Sequence, residues 1–373
     1  MFWKIWLHCK KKLIAIYLMN NLFLGDLRVE VPIVQGGMGV GISLSGLASA
    51  VANEGGLGVI SCAGLGLLYK KFSSDYTKAS IFGLKEELRK AKEKSKGIIG
   101  VNIMVALTNF TDMVKTSLSE GADVIFAGAG LPLDLPSFLE GKYKTKLVPI
   151  VSSARAAILL CEKWIKNYNY VPDAFVLEGP KAGGHLGYKP AQIDDGKFSL
   201  EELLPELLEN LKVIEEMEGR KIPVIAAGGI YNGYDAKRFL DMGASAVQLG
   251  SRFVTTDECD ASLKFKESYL KAEESDMTII QSPVGLPGRA VFSQFLQRVK
   301  DGLEKPKKCP FHCIKTCDYT KSPYCIMVAL YNAFKGNFNK GYAFAGSNAF
   351  LAEKITSVKE TFQSLIREMN EKK

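Results

Sequence analysis

From about residue 30 onward, short apolar runs alternate with longer amphipathic stretches. The apolar runs cover 33–35, 58–61, 97–104, 124–128, 147–151, 174–178, 222–227 and 246–250. They are short, bounded by turn residues and nearly free of polar alternation, as strands buried on both faces are. Between them, 44–53, 84–94, 110–119, 154–166, 200–216 and 236–242 carry helical periodicity. Strands that alternate with helices imply parallel pairing through helical crossovers. Eight such units predict an α/β chain folded as a closed (β/α)8 TIM barrel. An open doubly wound sheet is the alternative.

Glycines decide between the two. They follow several predicted strand ends, at Gly36-Gly37, Gly128, Gly130, Gly179, Gly228-Gly229 and Gly250. In a barrel those ends converge on one face, where active sites sit. Beyond Gly250 the pattern changes. Residues 257–275 read as one charged amphipathic helix, 282–288 as a loop and 292–303 as a helix. Residues 341–350 are rich in glycine and aromatics, and 355–369 read as a closing helix. The predicted organisation is an N-terminal extension (1–26), a barrel (27–256), a C-terminal elaboration over the barrel mouth (257–345) and a last helical segment (346–373).

Composition narrows the class without changing the fold. With 47% hydrophobic and 24% charged residues among 373, the chain has the make-up of a globular protein with a large core. Its net charge of +8 includes Lys4, Lys10, Lys11 and Lys12, and no acid or arginine offsets these within residues 1–18, so the remainder carries +4. No basic stripe interleaved with aromatics is present, which argues against nucleic acid as a partner. Neither apolar run in residues 1–19 is long enough to span a bilayer, and the expected native start is Met19. Four of the eight cysteines lie between 309 and 325, a clustering that favours a cytoplasmic protein with one special site over a disulfide framework.

Three segments carry candidate chemistry. In Glu178–Gly187, four glycines surround His185, and Gly183 and Gly184 leave room for a planar ligand to approach the backbone. An imidazole there is a candidate base, able to take a proton near neutral pH. Gly228, Gly229, Gly250 and Ser251 follow the seventh and eighth strands, where barrels commonly bind phosphate. Gly36, Gly37 and Met38 follow the first strand and suit the face of an aromatic ring system, while Asn102 is placed to hydrogen-bond a ring edge. The bland readings are strand–helix turns and a loop-capping asparagine.

Cys309, Cys313, Cys317 and Cys325 are spaced C-x3-C-x3-C-x7-C. Four thiolates so close in sequence suit one tetrahedral metal or a [4Fe–4S] cluster. Structural zinc sites more often use C-x2-C pairs, so iron–sulfur is favoured over zinc. His312 lies inside this loop as a spare ligand or a solvated side chain.

From about residue 27 to the C-terminus, the ordered set 31–39, Asn102, 178–187, 226–230 and 248–253 resembles the nitronate monooxygenase (2-nitropropane dioxygenase) family. The resemblance implies an FMN-dependent barrel oxidoreductase. It implies that Gln35, Gly36, Gly37, Met38 and Asn102 contact the flavin and that Glu178 and Gly183 flank it. It also implies that Gly228, Gly229, Gln248, Leu249, Gly250 and Ser251 hold its phosphate, and that His185 is the catalytic base. Two positions depart from the family pattern: Lys181 stands where an acid is common, and Ser251 where threonine is common. The family includes enoyl-ACP reductases and acyl-ACP dehydrogenase/isomerases, and its iron–sulfur-bearing members resemble this C-terminal half. The expected substrate is therefore a small nitronate or, alternatively, an acyl thioester on CoA or acyl carrier protein. A flavin- or metal-binding regulator without turnover is the reading from another class. The sequence leaves a homodimer open.

Overall fold

The computed structural model describes residues 21–69 and 75–371. The expected extension and alternative start at Met19 lie outside the described residues, apart from 21–26.

Eight parallel strands form the central sheet. They are β1 (Ile33–Gln35), β2 (Gly58–Ser61), β3 (Ile99–Met104), β4 (Val124–Gly128), β5 (Lys146–Val151), β6 (Phe175–Glu178), β7 (Val224–Ala227) and β8 (Ala246–Leu249). Their spatial order is β1-β8-β7-β6-β5-β4-β3-β2. The ring closes where Val34 bridges Leu57, with the Gln35 N–H donating to the Leu57 carbonyl at 3.0 Å. The predicted barrel is therefore observed. Its interior is a dry layer that includes Val34, Val59, Phe126, Val148, Val176 and Ile225. A short antiparallel hairpin, Leu22–Leu24 with Leu27–Val29, adds Leu22, Leu24 and Val29 to that layer. Asp26 at its turn pairs with Lys146 at the start of β5, so the hairpin covers the N-terminal end.

The helices are α1 (Ser45–Asn53), α2 (Leu65–Leu68), α3 (Tyr76–Lys94), α4 (Phe110–Ser119), α5 (Ala154–Tyr168), α6 (Leu200–Glu218), α7 (Gly233–Asp241) and α8 (Ser251–Val254). Helix α3 begins well before the predicted residue 84, because the Asp75 side chain accepts from the Lys78 N–H and starts the helix there. Helix α6 ends at Gly219, whose φ of +65° suits a left-handed cap.

Beyond the barrel lie α9 (Leu263–Leu270), β9 (Met277–Gln281), β10 (Pro287–Val291), α10 (Gln294–Lys300), α11 (Ile326–Phe334) and α12 (Val358–Asn370). The single helix expected over 257–275 is not formed. Asp260 instead turns back to accept from the N–H groups of Leu44, Gly46 and Leu47, and Ser262 caps the shorter α9. The segment read as loop 282–288 is the tip of the β9–β10 hairpin, with Pro287 and Gly288 already in strand. Proline is tolerated there as the first residue of its strand. Strand β10 also pairs with Gly184–His185, tying the elaboration to the loop after β6. Helix α12 opens with a Ser357/Glu360 capping box and buries Phe362 and Leu365. Among the described residues no helix is long and apolar enough to cross a membrane.

Candidate active site

A cavity of about 260 Å³ opens at the C-terminal ends of the strands. It gathers Gly36, Gly37, Met38, Asn102, Glu178, Gly183, Gly184, His185, Gly228, Gly229, Gln248, Gly250 and Ser251, all singled out in the sequence. Gln35 and Leu249 do not line it. Gln35 is wholly buried in the barrel wall, where its Oε1 accepts from the Val59 N–H at 3.0 Å and its amide nitrogen bonds the Gly36 carbonyl. Leu249 is 1% exposed and packs in the outer core. Both alternate away from the mouth because neighbouring strand residues face opposite sides.

The floor depends on missing side chains. A Cβ on Gly37 would lie 2.3 Å from the Cβ of Asn102, so the loops after β1 and β3 approach only because that position is glycine. Asn102 and Gln248 point into the cavity, and neither side-chain amide hydrogen-bonds another described residue. Polar groups held this way beside apolar walls are placed for a ligand, since a burial without partners is costly.

One wall is the loop after β6. Gly183 sits against the backbone of Ala345 and Gly346, where a Cβ would come within 2.5 Å. Gly184 has φ +83° and faces open space. His185 Nε2 lies 2.8 Å from Ser282 Oγ, and its ring meets Phe344 edge-on at 5.0 Å. Burial lowers the His185 pKa to about 4, so the ring is neutral at neutral pH. The sequence suggested a histidine titrating near 7; desolvation in the formed pocket moves it down. Burial raises the Glu178 pKa to about 7, and its carboxyl, facing the cavity, has no hydrogen-bonding neighbour among the described side chains.

The adjoining rim holds the candidate phosphate loops. Gly228 and Gly229 have φ of +96° and +84°. A Cβ on Gly228 would stand 2.8 Å from the Gly179 carbonyl oxygen, and one on Gly229 would stand 2.9 Å from the Lys181 Cβ. Segment 344–348 crosses these loops and ties them together. Asn348 Nδ2 donates to the Gly229 carbonyl at 2.7 Å, Ser251 Oγ accepts from the Gly346 N–H at 2.9 Å, and the Ser347 N–H donates to the Lys181 carbonyl at 3.0 Å.

Sequence reasoning missed the apolar side of the cavity, where Ala63, Met104, Ile150, Leu330 and Phe344 converge. Only the glycine- and aromatic-rich stretch 341–350 gave a local signal for any of them. A glycine-floored slot, free side-chain amides, a part-buried carboxyl and backbone-rich turns at β7 and β8 together fit a planar, phosphate-bearing aromatic cofactor.

The cysteine segment docks beside this mouth. Leu107 bridges Ile314, and Lys315 Nζ donates to the Val105 carbonyl at 2.9 Å, just past β3. Burial pushes the Cys313 thiol up to about 12, and repulsion from Cys325, Cys309 and Cys317 adds to it, so the four are neighbours. They are not gathered into one coordination shell: among the described residues no three or more His, Cys, Asp or Glu are arranged to hold a metal. The turns aim them elsewhere. Cys309 Sγ accepts from the His312 N–H at 3.3 Å, and Cys317 Sγ contacts Ser322 Oγ at 3.7 Å. His312 is exposed and contributes backbone bonds, its carbonyl accepting from Thr108 Oγ1 at 2.6 Å.

Comparison with known proteins gives a consistent result. The family model described as nitronate monooxygenase matches residues 21–368. A nitronate monooxygenase of Pseudomonas aeruginosa is 26% identical, with 94% of this chain and 99% of that protein covered. A Mycobacterium tuberculosis protein named as a methyl-oxo-octahydro-indene-carboxyl-CoA dehydrogenase is 28% identical, with 74% of this chain and 66% of that protein covered. The solved structure of FabK from Thermotoga maritima superposes with a TM-score of 0.70 at 26% identity, covering 91% of this chain and 93% of that one.

Proposed function

The chain belongs to the nitronate monooxygenase family of oxidoreductases, and on that premise we propose that it is an FMN-dependent enzyme of the nitronate-oxidising type with His185 as its base. The observation that carries this reading is the glycine-floored cavity with a part-buried, neutral imidazole at its edge. FMN would lie with its ring over Gly36, Gly37 and Met38. Asn102, Glu178 and Gln248 would offer polar partners, and the turns at Gly228–Gly229 and Gly250–Ser251 would hold its phosphate. Bound there, the flavin supplies the acceptance of electrons, which no side chain of the site can provide.

The protein's own part is positioning and proton handling. A C–H next to a neutral nitro or carbonyl group is acidic enough for attack by a general base, which turns a nitroalkane into its nitronate; a nitronate supplied as such has already lost that proton. With Nε2–H donating to Ser282 Oγ, the Nδ1 lone pair of His185 is free to take that proton. Phe344 leans on the ring and fixes its plane. Residues 257–345 act as a lid, since Phe265, Tyr269, Leu330 and Phe344 reach the cavity from it and exclude water. Seven free cysteines among the described residues suit a reducing, cytoplasmic setting.

A second reading has an observation of its own. The apolar side formed by Ala63, Met104, Ile150, Leu330 and Phe344 offers room for an alkyl chain, which a small nitronate does not need. That favours an acyl thioester on CoA or acyl carrier protein. A role in fatty acid synthesis goes with this reading; the iron–sulfur cluster expected from the cysteine spacing would need the four thiols to turn to a common centre that they do not share among the described residues. The test is to purify the protein without oxygen, record its absorption spectrum, measure iron and sulfide, and assay nitronates beside acyl thioesters. A flavin spectrum with nitronate turnover supports the first reading. A colourless protein defeats both.

A further inference from the structure

Arg289 is a buried cation that the proposed chemistry does not use. It lies on β10 directly opposite Gly184 and is 8% exposed. Its Nη2 donates to the Pro180 carbonyl at 3.0 Å, and its Nε has no partner. No carboxylate forms an ion pair with it among the described residues; Asp194 is the acid whose field reaches it. Burial opposes its charge. A guanidinium sunk beneath a loop with one carbonyl for company is costly, and such departures from ordinary packing concentrate at functional sites.

The loop above it explains the cost. Residues 179–185 hold three glycines and run past the cavity with few side-chain anchors. The Gly179 N–H donates to the Ala227 carbonyl at 2.8 Å, and the Lys181 carbonyl accepts from Ser347 at 3.0 Å. Between those two ties the Pro180 carbonyl is held by Arg289. Arg289 is itself fixed, because its backbone carbonyl accepts from the Ala345 N–H at 3.1 Å, beside the Phe344 that touches His185.

We propose that Arg289 is a positioning residue: its guanidinium pins the Pro180 carbonyl and so holds the glycine-rich loop in the shape that keeps His185 at the cavity wall. This rests on the reading of His185 as the base. A lysine keeps the charge but not the planar fork, so it replaces Arg289 only in part. A misplaced base is expensive, on the order of a hundredfold in rate for a shift of about 1 Å.

The test compares full-length Arg289→Ala and Arg289→Lys with the parent. Amide hydrogen exchange is followed over 179–187, and turnover is measured with and without added guanidinium. Arg289→Ala should raise exchange in 179–187 while β7 and α12 stay protected. Its kcat should fall roughly a hundredfold with a smaller change in KM, and guanidinium should restore much of the loss. Arg289→Lys should fall between the two and serves as the test if the alanine variant does not fold. Unchanged exchange in 179–187, exchange raised equally everywhere, or a kcat loss that guanidinium leaves untouched would overturn the proposal. If the parent shows no turnover, the functional reading fails, while the exchange pattern still decides whether Arg289 holds the loop.

Discussion

Two kinds of loop meet at the barrel mouth, one built on glycine and one on cysteine. The glycine loops after β1, β6 and β7 work by omission: at Gly37, Gly183 and Gly228 a single added carbon would collide with neighbouring atoms. Their geometry is fixed by backbone, and they converge on one cavity. The cysteine loop works by side chains. Its spacing keeps four thiols adjacent, but they share no common centre among the described residues: Cys309 accepts from the His312 N–H and Cys317 contacts Ser322. A close approach of backbones is set by the fold alone, whereas a ligand shell needs every rotamer to agree.

The largest effect should come from His185. His185→Ala should keep its flavin and lose roughly a hundred- to ten-thousand-fold in kcat, measured by steady-state turnover of a neutral nitroalkane. Gly37→Ala should come next. Its Cβ would overlap Asn102, so flavin affinity should fall at least about tenfold in a fluorescence titration. Gly196→Ala, where nothing lies within 4 Å, should leave affinity unchanged. If both variants bind flavin alike, the glycine floor is not the cofactor's seat.

The third prediction concerns pH. With the His185 pKa lowered to about 4, the acid limb of kcat/KM should fall near pH 4, well below the ordinary histidine value of 6.5. Stability follows the same sign. Folding favours the neutral ring, so its contribution is full above the unfolded value of 6.5 and is lost as pH falls toward about 4. A limb near 6.5 would mean that water reaches the His185 ring. The smallest effect belongs to the cysteine loop. Cys309→Ser should change stability by no more than about 0.5 kcal/mol and leave turnover nearly intact. If the same change instead removes iron, colour and activity together, the thiols close on a cluster and the comparison between the two loops collapses.

The barrel was legible because fully buried parallel strands such as 124–128 carry continuous apolar runs with glycine behind them. The cavity's glycines and His185 were legible for the same reason, since they sit at strand ends whose convergence the fold dictates. Gln35 and Leu249 fall outside the cavity lining, because a motif read as a block ignores the alternation that turns every second residue away. The helix expected over 257–275 failed at Asp260, a residue drawn off by α1 through contacts more than 200 positions distant in sequence, roughly the reach at which local pattern says nothing. Leu330 was out of view, and Phe344 was flagged only by its aromatic-rich stretch, because both join the site only after the chain has folded back over the barrel.

The most direct test of the central claim is anaerobic mixing of flavin-loaded parent and His185→Ala with the same neutral nitroalkane, whose α-hydrogen a base must remove, following the bleaching of the flavin absorbance. The account predicts rapid bleaching in the parent and bleaching slowed at least about a hundredfold in the variant, with equal flavin content in both. Equal rates would contradict it.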